Sequence, residues 1–261
     1  MKTSLKAEIR KLRYQRSTYG ILAAACVIAA ISAISLIATA QLPRREMFVR
    51  LTDESTMHLV MSTTTAGYIF ALVLGIVMST TEFRHSTAVA TYLAQPHRRT
   101  VMIAKMIVAA VAGGGVQLMS TAVGMIAAVL YVQRYPHFTL QFDAYLRIMA
   151  GSVLVGVVLA IVGVAVGQLI RSQMVAVVVS ILWLQLVEGL IVVFADWLGK
   201  WSMRGAITSV LDVAVQQRNT QATLDLATEQ LGPWQSVLLL MAYGAFFAVV
   251  ATATSMRRDV D

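Results

Sequence analysis

LRIMAGSVLVGVVLAIVGVAVGQLI, residues 146–170, is apolar almost throughout and carries a single charge, at Arg147. A helix of about 20 such residues is long enough to cross the hydrocarbon core of a bilayer. Five further apolar segments lie along the chain, at about 19–40, 58–80, 101–131, 174–195 and 235–254. The pattern predicts an all-α membrane protein with six transmembrane helices, formed as one domain by residues 1–261.

The composition excludes an ordinary soluble domain. Of the 261 residues, 58% are hydrophobic and 13% are charged, with a mean hydropathy of +0.72; soluble domains have about 25% charged residues. We attribute the net charge of +8 to membrane topology rather than to nucleic acid, because Lys and Arg concentrate on the cytoplasmic side. The single cysteine, Cys26, excludes an internal disulfide and is expected to pack in the first span.

The basic residues also predict the orientation. With the N-terminus inside, 13 of the 21 Lys and Arg residues fall on the cytoplasmic side and 8 fall outside, so both termini are expected to be cytoplasmic. Ala38-Thr39-Ala40 has the small-x-small pattern of a signal-peptide cleavage site. The apolar run before it is longer than the 7–15 residues of a signal core, so we expect it to remain as the first transmembrane helix.

Residues 1–17 have the spacing of an amphipathic helix. Leu5, Ile9 and Leu12 follow the i, i+4, i+7 pattern, and basic residues fall elsewhere around the helix. Such a helix lies in the headgroup layer with its basic residues near anionic lipid. A simple topology signal is the alternative.

A short polar insert, EFRHSTAVATYLAQPHRRTVMIAK (residues 82–105), separates the second and third spans. Ser86 or Thr87 can cap a helix start, and Pro96 ends the helix because the residue before a proline avoids the α region. The apolar face of this helix consists of Val89, Tyr92 and Leu93. Such a face suits a groove on a partner protein; a linker on the membrane surface is the alternative.

Two stretches together resemble the type-2 ABC export permeases, especially those of high-GC bacteria. The first is LKAEIRKLRYQRSTY, with matching positions Glu8, Lys11, Leu12, Arg13, Arg16 and Ser17. The second is the insert, with matching positions Glu82, Phe83, Arg84, Ser86, Thr87, Leu93, Pro96, Arg98, Arg99 and Lys105. Ser86 departs from the glycine of many relatives, but either residue can begin a helix.

The resemblance implies that residues 82–97 form a cytoplasmic coupling helix, which fits a groove on a separate ABC ATP-binding subunit. The residues expected to dock are Glu82, Arg84, Thr87, Val89, Tyr92, Leu93, Pro96 and Arg98. It also implies a second permease copy or homologue as partner, a location in the bacterial cytoplasmic membrane, and short helices within 196–233 that dip back at the outer leaflet. A pair of helices lying flat outside is the alternative for 196–233.

No energy-converting or catalytic motif stands out in the chain. A phosphate-binding loop needs G-x-x-x-x-G-K-[ST], whereas Gly199-Lys200 is followed by Trp201 and lacks the earlier glycine. The four histidines include no i, i+4 pair of the kind that often binds zinc. We therefore expect no catalytic residues, metal or cofactor in this chain, and ATP with Mg²⁺ bound by the partner subunit.

Polar residues within the fifth span are the candidates for a substrate path. Glu188, with Gln185 one turn earlier, could contact a polar or cationic substrate, and Trp183 could stack on it. Structural roles are favoured for both: an ion pair of Glu188 with Arg147, and a packed core position for Trp183. Two glycine patterns lie in other spans: Gly163 and Gly167 should let another helix approach closely, and Gly113–Gly115 could allow a kink.

The sequence thus predicts a permease subunit of an ATP-driven exporter in the lipid bilayer, with no nucleic-acid partner. The absence of a large outer domain favours a small hydrophobic or amphipathic substrate, such as a drug, an antibiotic or a lipid-like molecule. Two alternatives stay open: a membrane scaffold or sensor that does not transport, and a membrane enzyme with dispersed catalytic residues.

Overall fold

The computed structural model describes residues 2–40, 64–84, 98–132, 142–194, 196–211 and 231–257, and these are helical apart from short turns. The helices are α1 (Lys2–Tyr14), α2 (Arg16–Ala40), α3 (Tyr68–Arg84), α4 (Arg98–Val132), α5 (Phe142–Ile170), α6 (Gln173–Leu182), α7 (Glu188–Phe194), α8 (Asp196–Gly199), α9 (Met203–Val210) and α10 (Pro233–Arg257). A 3₁₀ turn, Thr64–Gly67, precedes α3, and a π-helical segment, Trp183–Val187, joins α6 to α7.

Five helical stretches within the described residues are long and apolar enough to cross a membrane. They are Arg16–Ser35, Arg99–Ala127, Leu146–Ile170, Gln173–Ile191 and Pro233–Ala253. The prediction of a multi-pass helical membrane protein agrees with these five. The predicted second span, 58–80, corresponds to the 3₁₀ turn and the 17-residue helix α3, and residues 58–63 lie outside the described residues.

Helix α5 holds the bundle together, because α3, α4 and α10 all pack against it. The contact with α3 is close at Gly163, where an added Cβ would overlap the Leu72 carbonyl oxygen, and at Gly167, where it would lie 2.9 Å from the Ser79 Cβ. The predicted close approach at this glycine pair is confirmed. The contact with α4 pairs Gly113 with Gly156, and α4 continues as a helix through Gly113–Gly115.

Helix α1 is present, and Leu5 and Leu12 of the predicted apolar stripe are partly buried against the core. Ser4 and Glu8 are buried, whereas Ile9 of the predicted apolar stripe is 50% exposed. The helix ends at Tyr14, and Gln15 separates it from α2. The predicted stripe was wrong at Ile9 because the polar side of α1 packs against charged groups of α3 and α4.

The fifth predicted span is interrupted, and the segment after it packs into the bundle. In the π-helical segment Trp183–Val187, backbone hydrogen bonds join residues five apart instead of four. Such segments are frequent at functional sites. Helix α9 buries Ala206 and Ile207 in the core beside α5 and α10. This packing is compatible with both predictions for 196–233, a segment that dips back and helices that lie flat outside, and residues 212–230 lie outside the described residues.

Candidate functional site

Four charged side chains from three helices meet at one end of the bundle. The Lys105 Nζ lies 3.0 Å from Glu8 Oε2 and 2.9 Å from Glu82 Oε1. The Lys11 Nζ lies 2.6 Å from Glu82 Oε1 and 3.0 Å from Glu8 Oε1. We call these four residues the charge cluster. Each carboxylate contacts both ammonium groups, so the cluster is formally neutral.

The charge cluster is shielded from its surroundings on one side and open on the other. The Lys105 side chain is 2% exposed, and those of Glu8 and Glu82 are also buried, while the Lys11 side chain is 43% exposed. A buried charge is very unfavourable unless it is paired and hydrogen-bonded. Lys105 meets this requirement with both carboxylates and a longer contact to the Met78 carbonyl oxygen.

The two groups of the cluster with shifted pKa values are both held in their charged forms. For Glu82, burial disfavours the carboxylate, but the charges and hydrogen bonds of Lys105 and Lys11 outweigh burial and lower its pKa. For Lys11, burial disfavours the ammonium, but Glu82 and Glu8 outweigh burial and raise its pKa. Glu82 and Lys11 are therefore both expected to be charged at neutral pH.

The cluster contains the first and last residues of the polar insert, Glu82 and Lys105. Glu82 lies in the last turn of α3, and Lys105 lies two turns into α4; residues 85–97, between the two helices, lie outside the described residues. Further contacts fix the same end of α3. The Gln15 Nε2 donates to the Thr81 Oγ1 at 3.1 Å, and the Arg171 guanidinium lies 5.5 Å from the centre of the Phe83 ring.

The predicted docking residues divide into described and undescribed ones. Glu82 is buried within the cluster, so its carboxylate anchors α3 internally instead of facing outward; Arg84 is exposed. Residues 82–84 continue α3 and do not begin a separate helix. Arg98 is the first residue of α4. Outside the described residues lie Thr87, Val89, Tyr92, Leu93 and Pro96.

Away from the charge cluster, Glu188, the first residue of α7, holds the start of α9. Its carboxylate accepts a hydrogen bond from the backbone N–H of Arg204, and the backbone N–H of Met203 and the side chain of Trp183 also reach it. The first backbone N–H groups of a helix lack partners within the helix and carry partial positive charge. The structural role favoured for Glu188 agrees with this arrangement, but the suggested partner Arg147 was wrong.

Two further contacts reinforce this junction. Ser202 caps α9, since its Oγ accepts from the backbone N–H of Gly205 at 2.8 Å. The Arg204 Nη1 donates to the Gln185 carbonyl oxygen at 3.2 Å, within the π-helical segment. Arg204 thus contacts the π-helical segment through its guanidinium and Glu188 through its backbone N–H.

The three predicted substrate-path residues do not share one surface. Glu188 and Trp183 line a cavity of about 550 Å³ between α5, α6, α9 and α10, while Gln185 is exposed outside its lining. Trp183 is 55% exposed, so the favoured packed core position for it was wrong. The π-helical segment turns its indole toward the edge of the cavity.

Sequence reasoning had matched Glu8, Lys11 and Lys105 to a family pattern without giving them a role. A usable signal was present, because Lys105 is the one charged residue of α4 after Arg99 and, within an apolar stretch, needs a buried acid nearby. Arg204 gave no comparable signal. It binds Glu188 through its backbone N–H, which does not depend on the type of side chain.

Metal binding is a separate question. Within the described ranges, no group of three or more His, Cys, Asp and Glu side chains is placed to hold a metal ion. All four histidines lie outside those ranges.

No protein-family model and no curated protein matches this chain. The described helices and their buried charges therefore define only the class, a multi-pass helical membrane protein.

Proposed function

We propose that this chain is the membrane-spanning permease subunit of an ATP-driven ABC exporter. Residues 85–97 would dock on a separate ATP-binding subunit, and the energy of ATP would enter there. The observation that carries the proposal is the charge cluster, which joins both flanks of the insert to the N-terminal helix. The resemblance of residues 5–19 and 82–105 to type-2 export permeases adds to it.

The cluster suits a transmitting element for a physical reason. Energetic coupling between distant sites passes through packed side chains, ion pairs and rigid helices. Lys105 is paired with both Glu82 and Glu8, so a displacement of the insert would move the end of α3, the start of α4 and α1 together. Helix α2 follows α1 after one residue, which extends the movement to the first span.

Further features belong to the proposal through the family resemblance. The exporter would contain a second permease copy or homologue and two ATP-binding subunits in a bacterial cytoplasmic membrane, with both termini of this chain inside. Helices α2, α6 and α10 leave apolar residues exposed, which suits contact with lipid or with a second permease.

The first test is recovery of the ATPase. The tagged chain is purified from native membranes in mild detergent, and the bound proteins are identified by mass spectrometry. We expect a stoichiometric ABC ATPase that is lost on changing Val89 and Leu93 to Asp. Ile9→Asp is the matched control, because Ile9 is an exposed apolar residue of α1 outside the insert, and it should retain the ATPase.

Failure to recover an ATPase, even after cross-linking, would contradict the transporter assignment and favour a scaffold or an enzyme. A second variant separates docking from transmission. Glu82→Gln weakens the charge cluster without changing the predicted apolar docking face. We expect it to keep the ATPase bound while losing the effect of the permease on the rate of ATP hydrolysis.

A further inference from the structure

The cavity beside Glu188 has the size and shape of a small-molecule site. Its volume of about 550 Å³ falls within the range of roughly 300–1,000 Å³ that is usual for ligand pockets. Val179, Trp183 and Phe246 border it and are themselves exposed. Because α6 and α10 belong to stretches long and apolar enough to cross a membrane, we expect this open side to face the bilayer.

The walls of the cavity are apolar and rich in aromatic rings. Leu159 and Val162 of α5 line the buried side. Trp183 and Trp201 line it together with Phe246. Apolar area buried against such walls supplies most of the binding free energy, and aromatic rings favour a ligand with planar rings of its own.

The polar groups of the cavity argue against a charged ligand. Glu188 is already engaged by the N–H groups at the start of α9 and by Trp183. The Tyr243 hydroxyl donates to the Trp201 carbonyl oxygen at 2.8 Å. Ser180 differs from these, because its Oγ is buried and has no hydrogen-bond partner within the described residues. None of these groups offers a free counter-charge to a charged ligand.

We propose that this cavity binds an uncharged, drug-sized molecule that contains aromatic rings and enters from the bilayer. This differs from the polar or cationic substrate suggested by Glu188 in the sequence. The inference rests on the proposed function only where the molecule is called an export substrate, since binding itself needs no ATPase.

Two dyes with the same ring system test the charge preference. The purified chain in lipid nanodiscs is titrated with N-phenyl-1-naphthylamine, which is uncharged, and with 8-anilinonaphthalene-1-sulfonate, which is an anion. Energy transfer from tryptophan reports binding, since Trp183 and Trp201 line the cavity. We expect saturable transfer to the uncharged dye and affinity at least about tenfold weaker for the anion, whose sulfonate would be desolvated without a partner.

Variants that fill the cavity test the location. Val162→Phe fills it from α5, and Ser180→Phe fills it from α6 and gives up no hydrogen bond. Each should weaken saturable binding of the uncharged dye by at least about tenfold. Leu130→Phe, on the exposed face of α4, is the matched control and should bind as the unmodified chain does.

Transfer that rises linearly with dye in the unmodified chain would overturn the proposal, as would saturable binding that both filled variants retain. Gel filtration of each variant identifies any that fail to fold, and either filled variant alone is sufficient for the test. Saturable binding without ATPase recovery would contradict the proposed function only. ATPase recovery without saturable binding would contradict this inference only.

Discussion

The two ends of the bundle stabilise buried carboxylates in different ways. At one end, Glu8 and Glu82 are neutralised by the side chains of Lys11 and Lys105, which lie far apart in the sequence. At the other end, Glu188 is satisfied mainly by the backbone of the helix that starts at Met203. The first arrangement depends on four particular side chains, whereas the second depends on one side chain and on the position of a helix.

The difference determines how each end should respond to change. Removing one cation from the charge cluster leaves a carboxylate buried without enough positive charge, which is strongly unfavourable. Removing Glu188 leaves backbone N–H groups without an acceptor, which costs less because these groups are neutral. The charge cluster joins three helices and is therefore the better candidate for transmitting movement. The contact of Glu188 with the start of α9 is the better candidate for keeping the shape of the cavity that Glu188 lines.

Lys105→Met should have the largest effect. The side chain keeps its apolar length, but Glu8 and Glu82 lose the buried ammonium group that both of them contact, so we expect a loss of about 3–5 kcal/mol in the free energy of unfolding. Unfolding of the purified protein by titration with a denaturing detergent measures this loss. Lys6→Met, at an exposed lysine of α1, is the control and should leave stability unchanged.

Exchange of the charges sharpens the same prediction. Glu8→Lys combined with Lys105→Glu keeps two positive and two negative groups in the cluster. The double variant should recover part of the stability that each single change loses. If Lys105→Met unfolds as the unmodified protein does, the pairing at this end does not stabilise the fold.

Much of this architecture follows from local sequence. The apolar runs and the Gly163–Gly167 spacing predicted the helices and one close helix contact, because hydrophobic periods and small residues act within a single element. The charge cluster could not be predicted in the same way. It requires Glu8, Glu82 and Lys105 to meet, and these residues are brought together by the packing of α1, α3 and α4.

Glu188→Ala should have the next largest effect. The N–H groups at the start of α9 lose their acceptor, so we expect a loss of about 1–3 kcal/mol. Glu188→Gln retains a carbonyl oxygen and should lose less. Arg147→Gln is the control for the ion pair that the sequence suggested. An effect of Arg147→Gln as large as that of Glu188→Ala would contradict the capping role.

The Glu188 junction also shows why a partner was misassigned from sequence. Arg147 was chosen because it is a cation near the same end of a neighbouring span. The actual contact comes from the backbone of Met203 and Arg204, and every residue type except proline has a backbone N–H. Side-chain identity carried little information about this contact, and the π-helical segment before Glu188 has no evident sequence signature either.

Arg204→Ala should have a smaller effect than Glu188→Ala. The substitution removes the bond from the guanidinium to the Gln185 carbonyl oxygen but keeps the backbone N–H that Glu188 binds. We expect a loss of about 1 kcal/mol in the same unfolding titration. A loss as large as that of Glu188→Ala would mean that the side chain of Arg204, and not its backbone, supports the cap.

The smallest expected effect is that of pH near neutrality. The pKa of Glu82 is lowered from 4.5, so its contribution to stability is fully present above pH 4.5 and is lost as the pH falls through the lower folded value. The pKa of Lys11 is raised from 10.5, so its contribution is fully present below pH 10.5 and is lost as the pH rises through the higher folded value. The stability difference between the unmodified chain and Glu82→Gln should therefore stay constant from about pH 5 to about pH 9 and shrink in stronger acid. A difference that already shrinks between pH 7 and pH 5 would show that burial, and not the two lysines, controls the pKa of Glu82. Glu82 would then behave as an isolated buried acid and not as a member of a paired network.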